Sequence, residues 1–385
     1  MKKSSLLLFF GFFLSTLIRT YFILNGSDIA DIHSLHEMGD MMIKGINPYL
    51  TLNYNSYPPL AIYLEVAAIN LSQLLHIPFY ILTKVLPNSA DILAGVFIYW
   101  YLYKKGTKPI IASFWSLVFL LNPISIIISS AHGQIDSIPT FLVILSIFLL
   151  SFYQSKLYIF LSALLLGLAV AVKPNPLILL PFFIIFLKSN LKTRICFIFL
   201  TILPVVILFL PFLQDNPQYI LQKLLIYSGS NDFGLPAVIK TSYFKQNATF
   251  ELPFNDQLLL YTKIIFLIGL SLIITLYIKS KKIITGCLAA YLLFLAVYFG
   301  ISAQYLSWVI PLAILDKDKW VIPFSISGFI ALLAFYLFFN PAILLVQFSN
   351  IQPYQSQFLP LFPLTNLVFW TITFLWLLKV CIRIF

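Results

Sequence analysis

The sequence predicts an all-α fold, a polytopic bundle of transmembrane helices with about a dozen spans and interfacial helices in its first outer loop. Three observations predict it. The 385 residues are 61% hydrophobic and only 10% charged, with mean hydropathy +0.96, whereas a soluble domain carries roughly a quarter charged residues. In lipid only helices or closed barrels satisfy the backbone. The apolar runs are continuous and about 20 residues long, the length of a spanning helix, not the alternating pattern of barrel strands.

The predicted spans lie near 5–24, 81–103, 109–130, 137–153, 157–173, 175–188, 195–213, 258–278, 283–301, 303–315, 320–339 and 362–382. The first is too long for a signal-peptide core of about 7–15 residues and no A-x-A cleavage site follows it, so it reads as a retained span. Cys196, Cys287 and Cys381 form no motif and read as small buried hydrophobes.

The net charge is +11. If the N-terminus starts inside, 16 of the 24 basic residues fall in inside loops, with only Asp316 and Asp318 of the 13 acids. This is the positive-inside bias, so the charge reports orientation, with both termini cytoplasmic, and not nucleic-acid binding. The segment Pro58–His76 is apolar, but it opens on Pro58-Pro59 and carries Glu65, Asn70, Ser72, Gln73 and His76. It reads as a helix lying at the outer interface, a choice that keeps Lys104, Lys105 and Lys108 inside. The chain is then one membrane domain, 1–385, with large outer loops at 25–80 and 214–257.

The first outer loop concentrates chemistry. Ile32, Leu35, Met38, Met42 and Ile43 repeat at helical spacing, Gly45 closes the run, and Asp28, Asp31, Glu37 and Asp40 stand beside it. Acids this close to lipid are costly unless paired or functional; helix capping and solvation form the plain alternative. Further polar stretches end spans on the same side: Ala131-His132-Gly133-Gln134-Ile135-Asp136, Lys173-Pro174-Asn175-Pro176, and Gln304-Tyr305-Leu306-Ser307-Trp308. Convergent polar breaks on one face predict a shared cavity. Outer basic residues that could meet a phosphate are Arg19, Lys84, Lys173, Lys240 and Lys245, with Lys173 first because it sits at a break between spans and Arg19 second; snorkelling accounts for such residues equally well. His33 and His36, three apart on a helix, with Asp28 or Asp31, could hold a divalent metal.

These stretches resemble the GT-C glycosyltransferases. Asp31, then Gly45-x-x-Pro48-Tyr49, then Tyr57-Pro58-Pro59-Leu60 is similar to their first lumenal loop. Within that superfamily it looks most like the catalytic subunit of GPI mannosyltransferase I and the bacterial polyprenol-phosphate-mannose-dependent mannosyltransferases. The second acid of the former's Asp-x-Asp falls on Asp31; its first falls on Ile29, with Asp28 displaced by one. Gly133-Gln134, Lys173-Pro174-Asn175-Pro176 and Gln304-Tyr305-Leu306-x-Trp308 resemble later elements of these families, in order.

The resemblance implies transfer of a sugar, mannose, from a polyprenyl- or dolichyl-phosphate donor to a lipid-linked or glycan acceptor on the non-cytoplasmic face, with inversion. It implies Asp31 as general base, with Asp28, Glu37 and Asp136 behind it, Lys173 and Arg19 at the donor phosphate, and a pocket of Tyr57, Pro58, His132, Gln134, Gln304 and Tyr305. A lipid-linked glycan polymerase or ligase would share that layout. A transporter or flippase would show repeats and ionisable groups near the midplane, and the sequence places its ionisable groups at span ends. Short loops and the lack of a retention signal favour a prokaryotic plasma membrane over the endoplasmic reticulum.

Overall fold

A computed structural model of the chain describes residues 2–26, 29–52, 57–153, 155–214, 216–226, 229–247, 252–351 and 359–384. Their regular structure is all helical, with no strand among the described residues. Six helices are long and apolar enough to cross a membrane: Lys3–Asn25, Phe79–Lys104, Leu191–Phe212, Asn255–Ser280, Val321–Phe339 and Leu361–Ile384. A seventh crossing is a broken pair, Pro109–Leu120 and Pro123–His132, bent by 41°. The break follows from Pro123, which cannot continue the preceding helix; Asn122 caps the second piece, its Oδ1 accepting from the Ile124 N–H at 3.1 Å.

By length and composition alone, six or seven of the dozen expected spans reach full length among the described residues. The remaining predicted spans are present as shorter apolar helices: Ser137–Phe152, Lys156–Val172, Asn175–Phe186, Ile283–Val297 and Ala303–Leu315. At about 1.5 Å per residue they fall short of a 30 Å hydrocarbon core. They are short because the polar breaks that build the site interrupt them. The chain is nonetheless a multi-pass helical membrane protein, its longest helices presenting broad apolar faces at Leu6, Phe9, Ile202, Leu260, Ile268, Leu272 and Ile382.

The basic turns gather at one end. Lys104 Nζ donates to the Tyr153 hydroxyl at 2.6 Å, Ser113 Oγ to the Ser4 carbonyl at 3.0 Å, and Lys282 Nζ to the Arg383 carbonyl at 3.3 Å. Lys156 and Lys188 share one cleft, and Lys105, Lys281, Lys282 and Asp316 another. Arg383 bridges Asp316 and Asp318 at 3.0 and 2.8 Å. The turns assigned to one side by charge counting thus meet on one side.

The first long loop forms two longer helices, Ile29–Ile43 and Pro59–Leu75, packed on each other, with the short helix Pro48–Thr51 between them in sequence. Gly39 allows the close approach, since a Cβ there would sit 2.7 Å from Ile69. Glu65 is buried between Pro59–Leu75 and Phe79–Lys104, where Thr83 Oγ1 donates to it at 2.7 Å.

One feature departs from the expectation that ionisable groups sit only at span ends. Asp91 lies midway along Phe79–Lys104 and pairs with Arg19 of the first helix, Nη1 to Oδ2 2.9 Å. Arg19 also donates to Asn88 and Ser125, and Ser125 and Ser129 each donate to Asp91 at 2.7 Å. Every strong donor meets an acceptor, which is what makes such charges tolerable in an apolar interior.

Candidate active site

The site begins with a turn. Pro123–Ile126 runs into a π-helical segment, Ile127–His132, which ends at Gly133 with φ +85°. That left-handed conformation favours glycine, which has no Cβ to crowd the backbone. A Cβ at Gly133 would also lie 3.1 Å from the Lys84 stem. Lys84, fully buried, donates from Nζ to the carbonyls of Gly26 and Ala131 at 2.6 and 2.8 Å. It ties the entry of the first long loop to this turn.

The tie sets Asp31 against the turn. Asp31 Oδ2 lies 3.1 Å from His132 Nε2 and 2.5 Å from Gln134 Nε2. His132 Nδ1 lies 2.8 Å from the hydroxyl of Tyr336 in Val321–Phe339. A neutral His132 that donates from Nε2 to the Asp31 carboxylate accepts at Nδ1 from the Tyr336 O–H, and a charged one donates from both nitrogens. Burial acts to raise the Asp31 pKa. The hydrogen bond and charge of His132, the Gln134 hydrogen bond and the Lys173 charge together outweigh it, and the carboxyl sits below its ordinary value. Its side chain keeps 45% of its surface exposed, so a ligand can reach it.

Two residues beyond Gln134 the same turn carries a different carboxylate. Asp136 is fully buried. Lys173 Nζ donates to its Oδ2 at 2.6 Å and Trp308 Nε1 to its Oδ1 at 2.6 Å. Ile135 between them packs on Ala61 and Val172, which holds the turn against both neighbouring helices.

Lys173 faces a cleft of about 230 Å³ whose wall includes Tyr57, Pro58, Asn175, Gln304, Tyr305 and Trp308. Tyr305 stacks on Trp308 with ring centroids 4.3 Å apart, and Lys173 Nζ stands 5.5 Å from the Tyr305 ring. A cleft with an aromatic floor and few polar groups is the common form of a small-ligand site. The second long loop reaches it through Gly229, where a Cβ would run into the Gly300 carbonyl. Ser230 N–H donates to Ser302 Oγ at 3.2 Å and Asp232 N–H to the Ile301 carbonyl at 3.2 Å.

The structure thus brings together Asp31, His132 and Gln134 in one group, and Tyr57, Pro58, Lys173, Gln304 and Tyr305 in an adjoining cleft. Other expected residues stand elsewhere. Arg19 is 1% exposed and bound to Asp91 in the span interior, which corrects its expected place at a donor phosphate. Asp136 has both oxygens occupied and no exposed surface, which corrects its place as a reserve base. Glu37 lies six residues past Asp31, turned away by about 120° around the helix at 3.6 residues per turn. Asp28 lies outside the described residues. His36 packs edge-on against Phe79 at 4.8 Å, His33 is exposed, and among the described residues no three His, Cys, Asp or Glu side chains gather to hold a metal ion. Lys84 is the staple just described, Lys240 pairs with Asp232 at 2.5 Å, and the Lys245 side chain lies outside the described ones.

A family model described as GPI transamidase subunit PIG-U matches residues 6–222. The chain belongs to that family. The matched stretch carries Asp31, His132, Gln134, Asp136 and Lys173 and stops before Gln304 and Tyr305. A GPI mannosyltransferase 1 of Candida albicans (strain SC5314) is 28% identical to the chain over 364 residues, 86% of this chain and 85% of the relative. That match includes most of the chain, in line with the resemblance carried by the first loop and its later partners.

Three residues escaped sequence reading: Tyr336, Asp91 and the Asp136 partner role of Trp308. A lone acid inside an apolar run, facing a lone arginine in another, is a signal that could have found Asp91. Tyr336 has no such signal, since it lies in an apolar run 204 residues from His132.

Proposed function

We propose that the chain is a membrane mannosyltransferase that moves a mannosyl group from a polyprenyl- or dolichyl-phosphate carrier to a hydroxyl of a lipid-linked or glycan acceptor. The observation that carries the reading is Asp31, reachable and oriented by His132 and Gln134, beside an aromatic cleft edged by Lys173. The mannosyltransferase relative supports the reaction class.

The chemistry is a displacement at the anomeric carbon. The acceptor oxygen forms the new bond to C1 as the C1–O bond to the carrier phosphate breaks, with the electron pair leaving on the phosphate. The proton of the acceptor hydroxyl passes to Asp31 Oδ. A positioned base is worth about 10²–10⁴-fold in rate. Attack opposite the leaving group inverts C1, turning a β-linked donor into an α-glycoside. The phosphate needs little acid help because it leaves as a stable anion. Lys173, already shared with Asp136, retains ammonium hydrogens for it. Tyr305 and Trp308 offer the flat apolar surface that a sugar face packs on.

In this reading the site faces the non-cytoplasmic side and both termini are cytoplasmic, supported by the gathering of basic turns at the opposite end. The fungal relative favours the endoplasmic reticulum membrane over a prokaryotic plasma membrane.

A second reading is favoured by the family model's own description: a subunit that binds a GPI-type glycolipid in the cleft without transferring sugar. One experiment separates the two. Membranes carrying the chain are incubated with radiolabelled polyprenyl-phosphate-mannose and the matching glucose and arabinose donors. The enzyme reading expects label from the mannose donor in an acceptor product; no labelled product, with a separately supplied labelled GPI-type glycolipid retained by the chain, supports the second.

A further inference from the structure

Asn175 is 8% exposed and forms part of the cleft wall. Its Nδ2 donates to the Tyr291 hydroxyl at 3.2 Å. Its Oδ1 is buried and accepts no hydrogen bond from the described residues. Native proteins satisfy nearly all such atoms, and an exception asks for a cause.

The local backbone gives the orphan a fixed address. Asn175 begins the 3₁₀ turn Asn175–Leu179. Pro174 and Pro176 flank it, each with its φ locked by the ring. Two residues back, Lys173 is pinned by Asp136. Tyr291, its amide partner, packs 5.5 Å from Trp308. The prolines hold the backbone, and a half-turn of the amide would only exchange the unmet oxygen for an unmet Nδ2. A cleft that holds an acceptor rigid and unmet is built for a donor brought by the ligand.

We infer that Asn175 is a specificity residue, its carboxamide oxygen accepting a hydrogen bond from a ring hydroxyl of the sugar seated in the cleft. The inference rests on the transferase reading and deepens it, since it requires a hydroxylated ligand in this cleft in place of an acyl chain or a bare phosphate. A site that hydrogen-bonds a substrate hydroxyl rejects the analogue lacking it far more strongly than an apolar wall does, because the buried partner is then left unmet.

The test uses the full chain in membranes with polyprenyl-phosphate-mannose and its 2-, 3-, 4- and 6-deoxy analogues. Wild type is expected to transfer one deoxy sugar at least about tenfold more slowly than mannose. Asn175→Ala and Asn175→Leu, which remove the acceptor, should bring that one ratio toward unity and leave the other ratios in place. Asn175→Asp keeps an acceptor oxygen and should retain the discrimination. Either acceptor-removing variant suffices if the other fails to accumulate. Retention of every ratio in those variants, or an equal fall with all donors, overturns the inference while the transferase reading stands. A wild-type chain that transfers none of these sugars overturns the transferase reading, and the inference with it.

Discussion

Asp91 and Asp31 each face a basic or imidazole side chain, yet the fold treats them in opposite ways. Asp91 is enclosed in the span interior, paired to Arg19 and bonded by Ser125 and Ser129. Asp31 is held by His132 and Gln134 but keeps nearly half its surface open. Asp136 lies beyond both in sequence and resembles Asp91, closed in by Lys173 and Trp308. The difference teaches that the presence of a carboxylate near a positive partner says little by itself. What separates structure from chemistry here is whether the oxygen can still be reached once its partners are in place.

That contrast can be broken from the structural side first. Asp91→Ala strands a buried guanidinium and should cost about 3–5 kcal/mol, read as loss of folded protein and a lowered Tm in detergent. Replacing both partners, Asp91→Leu with Arg19→Met, should cost less than the single change, because no unpaired charge remains. A double variant as unstable as the single would say that the pair does more than satisfy itself.

The chemical side should respond through rate. His132→Ala is expected to lower transfer about 100-fold with little change in Tm. It should also move the acid limb of kcat/KM. Asp31 must be ionised to accept a proton, and its pKa now lies below the ordinary carboxylate value because the His132, Gln134 and Lys173 contributions outweigh burial. Without His132, burial counts for more, the pKa rises, and the limb shifts to higher pH. An unmoved limb would sever the link between His132 and Asp31.

Tyr336→Phe should have the smallest effect, a rate loss of about tenfold or less, since one hydrogen bond is worth about 1 kcal/mol. It removes only the O–H that fixes the imidazole tautomer through Nδ1. The same limb should shift in the same direction, by less than in His132→Ala.

Much of the fold was legible because lipid makes simple demands. The helix ends near 104, 109, 156, 283, 315 and 339 follow from where apolar runs meet Lys, Asp or Pro. The basic turns assigned to one side do meet on one side. The count of full-length spans was not legible, because hydropathy sees an apolar run and not its interruption: Asn175–Phe186 and Ala303–Leu315 read as spans but are shortened by the polar segments that line the cleft. Within the site, the stretches around Tyr57, His132, Lys173 and Gln304 were readable because each breaks an apolar run on the same face. Arg19 was misplaced for the converse reason. Its partner Asp91 is a single acid in a long hydrophobic helix, and only three-dimensional packing brings them within 2.9 Å. Tyr336 and the orphan oxygen of Asn175 are properties of packing and left no mark in the pattern.

The central claim is that Asp31 takes the acceptor's proton. The most direct measurement is transfer of radiolabelled mannose by membranes carrying Asp31→Asn, with Tm and membrane yield measured on the same preparation. The amide keeps the shape and loses the base. The account predicts a loss of about 10²–10⁴-fold in a chain as stable as wild type, and near-normal transfer by that variant would contradict it.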